Sequence, residues 1–224
     1  MSPAAVPDLA DTAGRPAPTG AELRRHRILE AAGRLLAEKG YAALTTADVA
    51  RVAQVSKRDI YAAFGTKAGI LSALISDRAA QMSPAAVLPA PTDRASFQAL
   101  LIEFGAAFLE RGLATDTMAL TRLAVAEAEN EPELARILRD SGRRPVTRTA
   151  LRMFAAAGRA GLIGSLNARS ALRVWFGLLA GDLPTERLLG LRRPPGPRYA
   201  TVRATWAARI LLATIDGCPA GKPL

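Results

Sequence analysis

Ser56-Lys57-Arg58-Asp59, followed by Tyr61 and by Lys67 beyond a Gly65-Thr66 break, gathers much of the reactive polarity of the first third of the chain into one short stretch. A hydroxyl, three cations, a carboxylate and a phenol at these spacings do not form an activated nucleophile. They can hydrogen-bond and ion-pair. Arg and Lys donate to guanine edges and phosphate oxygens, and a carboxylate can accept from cytosine N4. The rest of the sequence offers little for making or breaking bonds. It has a single His, His26, and a single Cys, Cys218. There is no G-x-S-x-G, Walker loop or G-x-G-x-x-G, and no paired-carboxylate motif stands out. The expectation is therefore a binding protein rather than an enzyme, with no catalytic residue, cofactor or metal site.

Recognition chemistry of this kind needs a helix to carry it. Leu44-Thr45-Thr46-Ala47-Asp48 places a Thr three residues before an Asp, a variant of the capping box. A short helix to about Ala53 follows, then a turn at Gln54-Val55-Ser56, then a second short helix over Lys57–Phe64 that Ser56 can cap. Val49, Ala50, Val55 and Ile60 are apolar and can hold the two together, and Ala50 is small enough for close approach. Two short helices across a tight turn make a helix-turn-helix, whose second helix can enter the major groove with its N-terminal side chains on base edges. Upstream, Ile28, Ala32, Leu35 and Leu36 mark one face of a helix that starts near Ala21 and stops at Gly40. Downstream, Lys67 to about Met82 repeats the pattern with Ile70, Leu71, Leu74 and Ile75.

These residues resemble the tetracycline-repressor-like (TetR) family. The match runs through Ile28-Leu29-Glu30-Ala31-Ala32, Gly40-Tyr41, Thr45-Thr46-Ala47-Asp48-Val49-Ala50 and Val55-Ser56-Lys57-Arg58-Asp59-Ile60-Tyr61, then Phe64 and Lys67. Glu131-Pro132-Glu133-Leu134-Ala135 and Gly177-Leu178-Leu179-Ala180-Gly181-Asp182 resemble the AefR-like subgroup of C-terminal domains. The resemblance implies that Thr46 touches a phosphate and that Ser56 caps the recognition helix or touches phosphate. It implies that Lys57, Arg58 and Asp59 lie over base edges, and that Tyr61 and Lys67 hold phosphates. The chain departs from the family pattern at Gln54, where Gly is usual, at Asp59, where a hydroxyl residue is frequent, and at Ala62-Ala63, where a bulky pair is common.

The organisation expected is all-α: a disordered arm over 1–20, a helix-turn-helix domain with its connecting helix over 21–82, and a ligand-binding and dimerisation domain over 92–217. Ser83 to Thr92, with three prolines, reads as the linker. In the second domain Phe104, Phe108, Met118, Met153, Phe154, Trp175 and Phe176 could line a pocket between helices. The family resemblance implies a hydrophobic small-molecule effector there. Trp175, Leu178, Val202, Trp206 and Ile210 are expected in a twofold dimer seam, which would offer two recognition helices to a palindromic duplex. A long segment over Ala168–Leu191 is expected to kink at Pro184.

Charge and length set the remaining bounds. The 224 residues can bury a substantial core, and half are hydrophobic, which argues against general disorder. The net charge of +10 suits a polyanionic partner. Residues 21–82 carry +4, however, and residues 143–224 carry +11, so the charge maximum does not coincide with the helix-turn-helix. Arg143, Arg144, Arg148, Arg152 and Arg159 belong to that second region, which the DNA scheme leaves unexplained. No uninterrupted apolar run approaches the roughly 18 residues of a membrane span, and one cysteine fits a reducing, cytoplasmic setting. The competing expectation is a helical ligand- or protein-binding module with weak or no DNA recognition.

Overall fold

The computed structural model describes residues 19–82, 90–130 and 132–217. Among these residues the structure is helical, with no strand. The helices are α1 (Gly20–Lys39), α2 (Thr46–Ala53), α3 (Lys57–Phe64), α4 (Lys67–Met82), α5 (Arg94–Gly112), α6 (Thr115–Ala126), α7 (Pro132–Ile137), α8 (Arg144–Arg159), α9 (Ala168–Ala180), α10 (Leu183–Leu188) and α11 (Pro197–Gly217). A π-helical turn, Leu138–Arg143, joins α7 to α8 without a break, so those three form one continuous helical segment.

The sequence explains most of the boundaries. Thr19 caps α1 in a full capping box with Glu22. The disordered arm expected over 1–20 thus gives way to ordered structure at Thr19 and Gly20, and its earlier residues lie outside those described. Most of the expected linker, residues 83–89, and Cys218 lie outside them too. Pro132 opens α7, where a missing N–H costs nothing; Pro145 directly follows the π-helical turn, where the continuous ladder lacks one N–H donor. The kink expected at Pro184 is a complete break instead. Gly181 adopts φ +48°, ending α9, and Pro184 lies in the first turn of the separate helix α10.

Two cores hold the molecule together. The first gathers Ile28, Leu35 and Leu36 of α1, Val49 of α2, Ile60 of α3 and Ile70 and Leu71 of α4. It does not end with the DNA-binding helices, because Leu120 and Ala124 of α6 and Leu134 of α7 complete it. The second core lies among α5, α8, α9 and α11. There the alanines of α11 (Ala200, Ala204, Ala207, Ala208) lie fully buried, and a Cβ on Gly105 of α5 would stand 3.1 Å from that of Ala204. Small side chains at this contact let the two long helices approach closely.

Candidate nucleic-acid interface

The α2–α3 turn depends on one residue in an unfavourable conformation. Gln54 has φ 54° and ψ 49°, and is the one non-glycine residue with positive φ among those described. Its amide donates to the Arg51 carbonyl and the Val55 amide to the Ala50 carbonyl (3.0 Å), which closes α2 in a Schellman arrangement. A left-handed glutamine costs about 1–2 kcal/mol relative to glycine.

Helix α3 starts at Ser56, whose Oγ accepts from the Asp59 amide at 3.1 Å. Asp59 Oδ2 accepts in return from the Ser56 amide (3.0 Å) and from Ser56 Oγ (2.6 Å). These hydrogen bonds, led by the one from the Ser56 hydroxyl, hold the Asp59 carboxyl below its ordinary value. The carboxylate therefore stays charged and is engaged by its own helix cap. Lys57 and Arg58 are exposed beside it. Ile60 is completely buried on the opposite side and fixes the helix to the core.

Around this helix stand the groups expected to grip a backbone. Tyr61 is 56% exposed, and its hydroxyl lies 3.5 Å from Thr46 Oγ1 at the start of α2. Two hydroxyls from different helices thus meet on one rim. Lys67 at the start of α4 points back into the fold. Its Nζ donates to the Tyr41 carbonyl at 3.1 Å and lies 4.2 Å from the centre of the Tyr41 ring. Phe64 is half-buried with Arg25 of α1 stacked 5.1 Å over its ring. Ala62 and Ala63 are exposed and add no polar contact.

The start of α2 is held by Thr45, whose Oγ1 accepts from the Asp48 amide at 3.1 Å. Asp48 pairs with Arg51 (3.1 Å) and Lys39 (3.6 Å). The Arg51 hydrogen bond, followed by that of Thr45, lowers the Asp48 carboxyl below its ordinary value.

All seven residues expected to line a pocket come together. Phe104, Met118, Met153, Phe154 and Trp175 are buried in the second core, with Phe108 and Phe176 half-buried against it. Their rings touch: Phe154 and Trp175 at 5.8 Å between centres, Trp175 and Phe176 at 5.3 Å, and Phe108 and Phe176 at 4.9 Å. The Trp175 Nε1 donor is buried with no hydrogen-bond partner in the structure.

The expected dimer residues separate. Val202, Trp206 and Ile210 form an exposed row along α11, at 63%, 45% and 38%, and Leu178 is half-buried on α9. Trp175 offers no surface to such a seam. It is 0% exposed within one chain, because its face of α9 turns toward Phe104 and Phe154; its neighbour Val174 points outward instead.

Two features of the site were not read from the sequence. The first is Gly69, which lies against the end of α3. The second is Tyr41, which is both buried core and hydrogen-bond acceptor for Lys67. Gly69 has no local signal, because the close approach involves the preceding helix. The Thr19-x-x-Glu22 box was missed as well, because Thr19 falls within the arm expected to be disordered.

Comparison with known proteins agrees with this geometry. Residues 28–74 match the bacterial regulatory proteins of the tetR family, and residues 99–214 match the C-terminal domain of AefR-like transcriptional repressors. The fold superposes on a TetR transcriptional regulator from Agrobacterium tumefaciens with a TM-score of 0.71 and 31% identity, covering 85% of this chain and 93% of that one. A TetR-family regulator from Mesorhizobium loti shares the fold at a TM-score of 0.65 and 20% identity, over 88% of this chain and 98% of that one. The HTH-type transcriptional regulator YvkB of Bacillus subtilis is 48% identical over 50 residues, so this chain covers 22% of its own length and 26% of that relative's. No helix among the described residues is long and apolar enough to cross a membrane. The capped α3 on its left-handed turn, and a helical second domain matching over more than half the chain, place this protein in the tetR family of bacterial transcriptional regulators.

Proposed function

We propose that this chain works as a homodimeric repressor that binds a palindromic operator through α3 and releases it when an apolar effector enters the aromatic core. The observation that carries the DNA reading is the Ser56-capped α3, held by buried Ile60, with Lys57 and Arg58 exposed at its N-terminal turn. On this reading Lys57 and Arg58 meet base edges, and Thr46 and Tyr61 together hold a phosphate. Asp59 and Lys67 act first as positioning residues, one capping α3 and the other tying the start of α4 to Tyr41. Any contact they make with DNA comes in addition.

The exposed row Val202, Trp206 and Ile210 supports the dimer, since three large apolar side chains on one face of α11 lose contact with water when a second copy covers them. The effector reading rests on the seven clustered residues and on the unpaired Trp175 Nε1. A buried donor left without an acceptor costs about 1–3 kcal/mol. An apolar effector carrying a carbonyl or ether oxygen would supply that acceptor. Such a ligand weakens operator binding by the same factor by which the operator weakens ligand binding.

The test is fluorescence anisotropy with duplex DNA from the promoter of the chain's own gene against a scrambled duplex, at several salt concentrations. Preference for the promoter with a steep salt slope is expected. Equal and weak binding to both would leave a helical binding module without DNA recognition.

A further inference from the structure

We propose that the cleft between α1, α4 and α6 is a second small-molecule site, separate from the aromatic core, that takes an amphipathic monocarboxylate. The cleft encloses about 320 Å³, at the lower end of the ~300–1,000 Å³ range of small-ligand pockets. It exists because α1 presents Gly33 and Ala37 to it. A Cβ on Gly33 would lie 3.6 Å from Arg78 Nη2 and 3.9 Å from Leu74, so a larger side chain at either position closes the space. Buried Leu36, Leu74 and Leu120 supply an apolar floor.

The polar end holds two guanidiniums and one carboxylate. Arg78 of α4 pairs with Asp116 of α6. The contact is made by Arg78 Nη1, which is buried, so Asp116 compensates this guanidinium. Arg122 of α6 donates from Nε and Nη2 to the Leu188 and Arg187 carbonyls, at 2.8 and 2.7 Å. Among the described residues it makes no ion pair, so the positive charge lining the cleft exceeds the negative. An adjoining trough shares Arg78 and Asp116 and extends over α1 past His26, Glu30, Arg34 and Asp77. Its carboxylates offset its cations, which places the anionic subsite on the side of the cleft nearer Arg122.

A bound carboxylate meets the uncompensated charge of Arg122 and competes with Asp116 for Arg78. Its apolar part covers the leucine floor. The site lies on the seam of the molecule, since α1 and α4 carry the helix-turn-helix while α6 belongs to the second domain. It is independent of the effector reading above, because binding here involves neither the aromatic cluster nor DNA.

The test is calorimetric titration of the full chain, without DNA, with octanoate and with 1-octanol as the neutral control. Octanoate should bind at submillimolar concentration and octanol about tenfold more weakly or not at all. Ala37→Leu fills the cleft from an exposed helical position that leucine suits. It and Arg78→Gln should each weaken octanoate at least about tenfold. Asp116→Asn should tighten it, and Phe154→Leu in the aromatic core should leave it unchanged. Thermal melts of the four variants confirm that each remains folded. No octanoate binding at millimolar concentration, binding indifferent to both Ala37→Leu and Arg78→Gln, or binding lost in Phe154→Leu alone overturns the proposal.

Discussion

Gly69 and Phe64 are packed so closely that a Cβ on Gly69 would stand 1.9 Å from the Phe64 carbonyl oxygen. Gly69 lies in the first turn of α4 and donates its amide to Thr66 Oγ1 at 3.1 Å. The carbonyl it approaches belongs to the last residue of the recognition helix. The absent side chain thus sets the distance between α3 and the helix that connects it to the second domain. Gly69→Ala is expected to destabilise the protein by about 1–3 kcal/mol, as overpacking does elsewhere, and to weaken operator binding beyond its loss of stability. Thermal melts and anisotropy on the same preparation check this. Wild-type values in both would mean that the contact relaxes without consequence.

Gln54 offers the opposite experiment. Its left-handed backbone is strained for glutamine and natural for glycine, though glycine loses more freedom on folding. Gln54→Gly should raise stability by about 0.5–1 kcal/mol with operator affinity unchanged, since residue 54 carries no recognition role. Urea denaturation gives the sign, and a loss of stability would show that the glutamine side chain contributes more than its backbone costs.

Arg58→Ala and Lys67→Ala should differ in kind. The first removes an exposed cation from the N-terminal turn of α3. It should cost about 1–3 kcal/mol on the operator and relax preference at one base pair. The second removes the donor to the Tyr41 carbonyl, so it should lower stability by roughly 1 kcal/mol. It should also weaken all DNA about equally, because the start of α4 is no longer tied to Tyr41. Selection from a randomised duplex pool separates the two. An unchanged base preference in Arg58→Ala together with an altered one in Lys67→Ala would reverse the assigned roles.

Trp206→Asp places a carboxylate in the exposed row of α11. Because Trp206 is 45% exposed within one chain, the fold of the single chain should survive. A dimer seam around it should not, since an unpaired carboxylate would have to be buried. Light scattering should report the monomer mass with helical circular dichroism retained. A persistent dimer would move the interface away from Val202, Trp206 and Ile210.

The Asp59 cap predicts a pH window. Its carboxyl is held below the ordinary carboxylate value in the folded state, chiefly by Ser56. The cap therefore contributes fully above the unfolded value, near 3.9, and its contribution is lost as pH falls through the lowered folded value. Stability should be insensitive to this group between about pH 5 and 8, and Asp59→Asn should flatten the decline in acid. An acid limb identical in Asp59→Asn and wild type would show that the cap is not titrating there.

What the sequence determined by itself was whatever rests on spacing of a few residues. Thr45 with Asp48, Ser56 with Lys57 and the glycine at 40 placed helix ends to within a residue or two, because caps act on their own turn. The periodic leucines and isoleucines marked the faces of α1 and α4 that are buried. The family resemblance supplied the direction of α3, and the departure at Gln54 appears as the left-handed residue of the turn.

Only the tertiary structure decided which apolar face meets which neighbour. Trp175 and Trp206 look alike as large apolar residues on helices, yet one is sealed among Phe104, Phe154 and Phe176 and the other is exposed. Periodicity marks a face as apolar but does not say whether it is covered by the same chain. Likewise the spacing that marked Lys67 as a cation near the helix-turn-helix could not show that its amine reaches the carbonyl of Tyr41, 26 residues earlier. The cleft beside Gly33 follows from distances between helices. Such distances are set by packing over the whole core, and no local pattern of side chains encodes them.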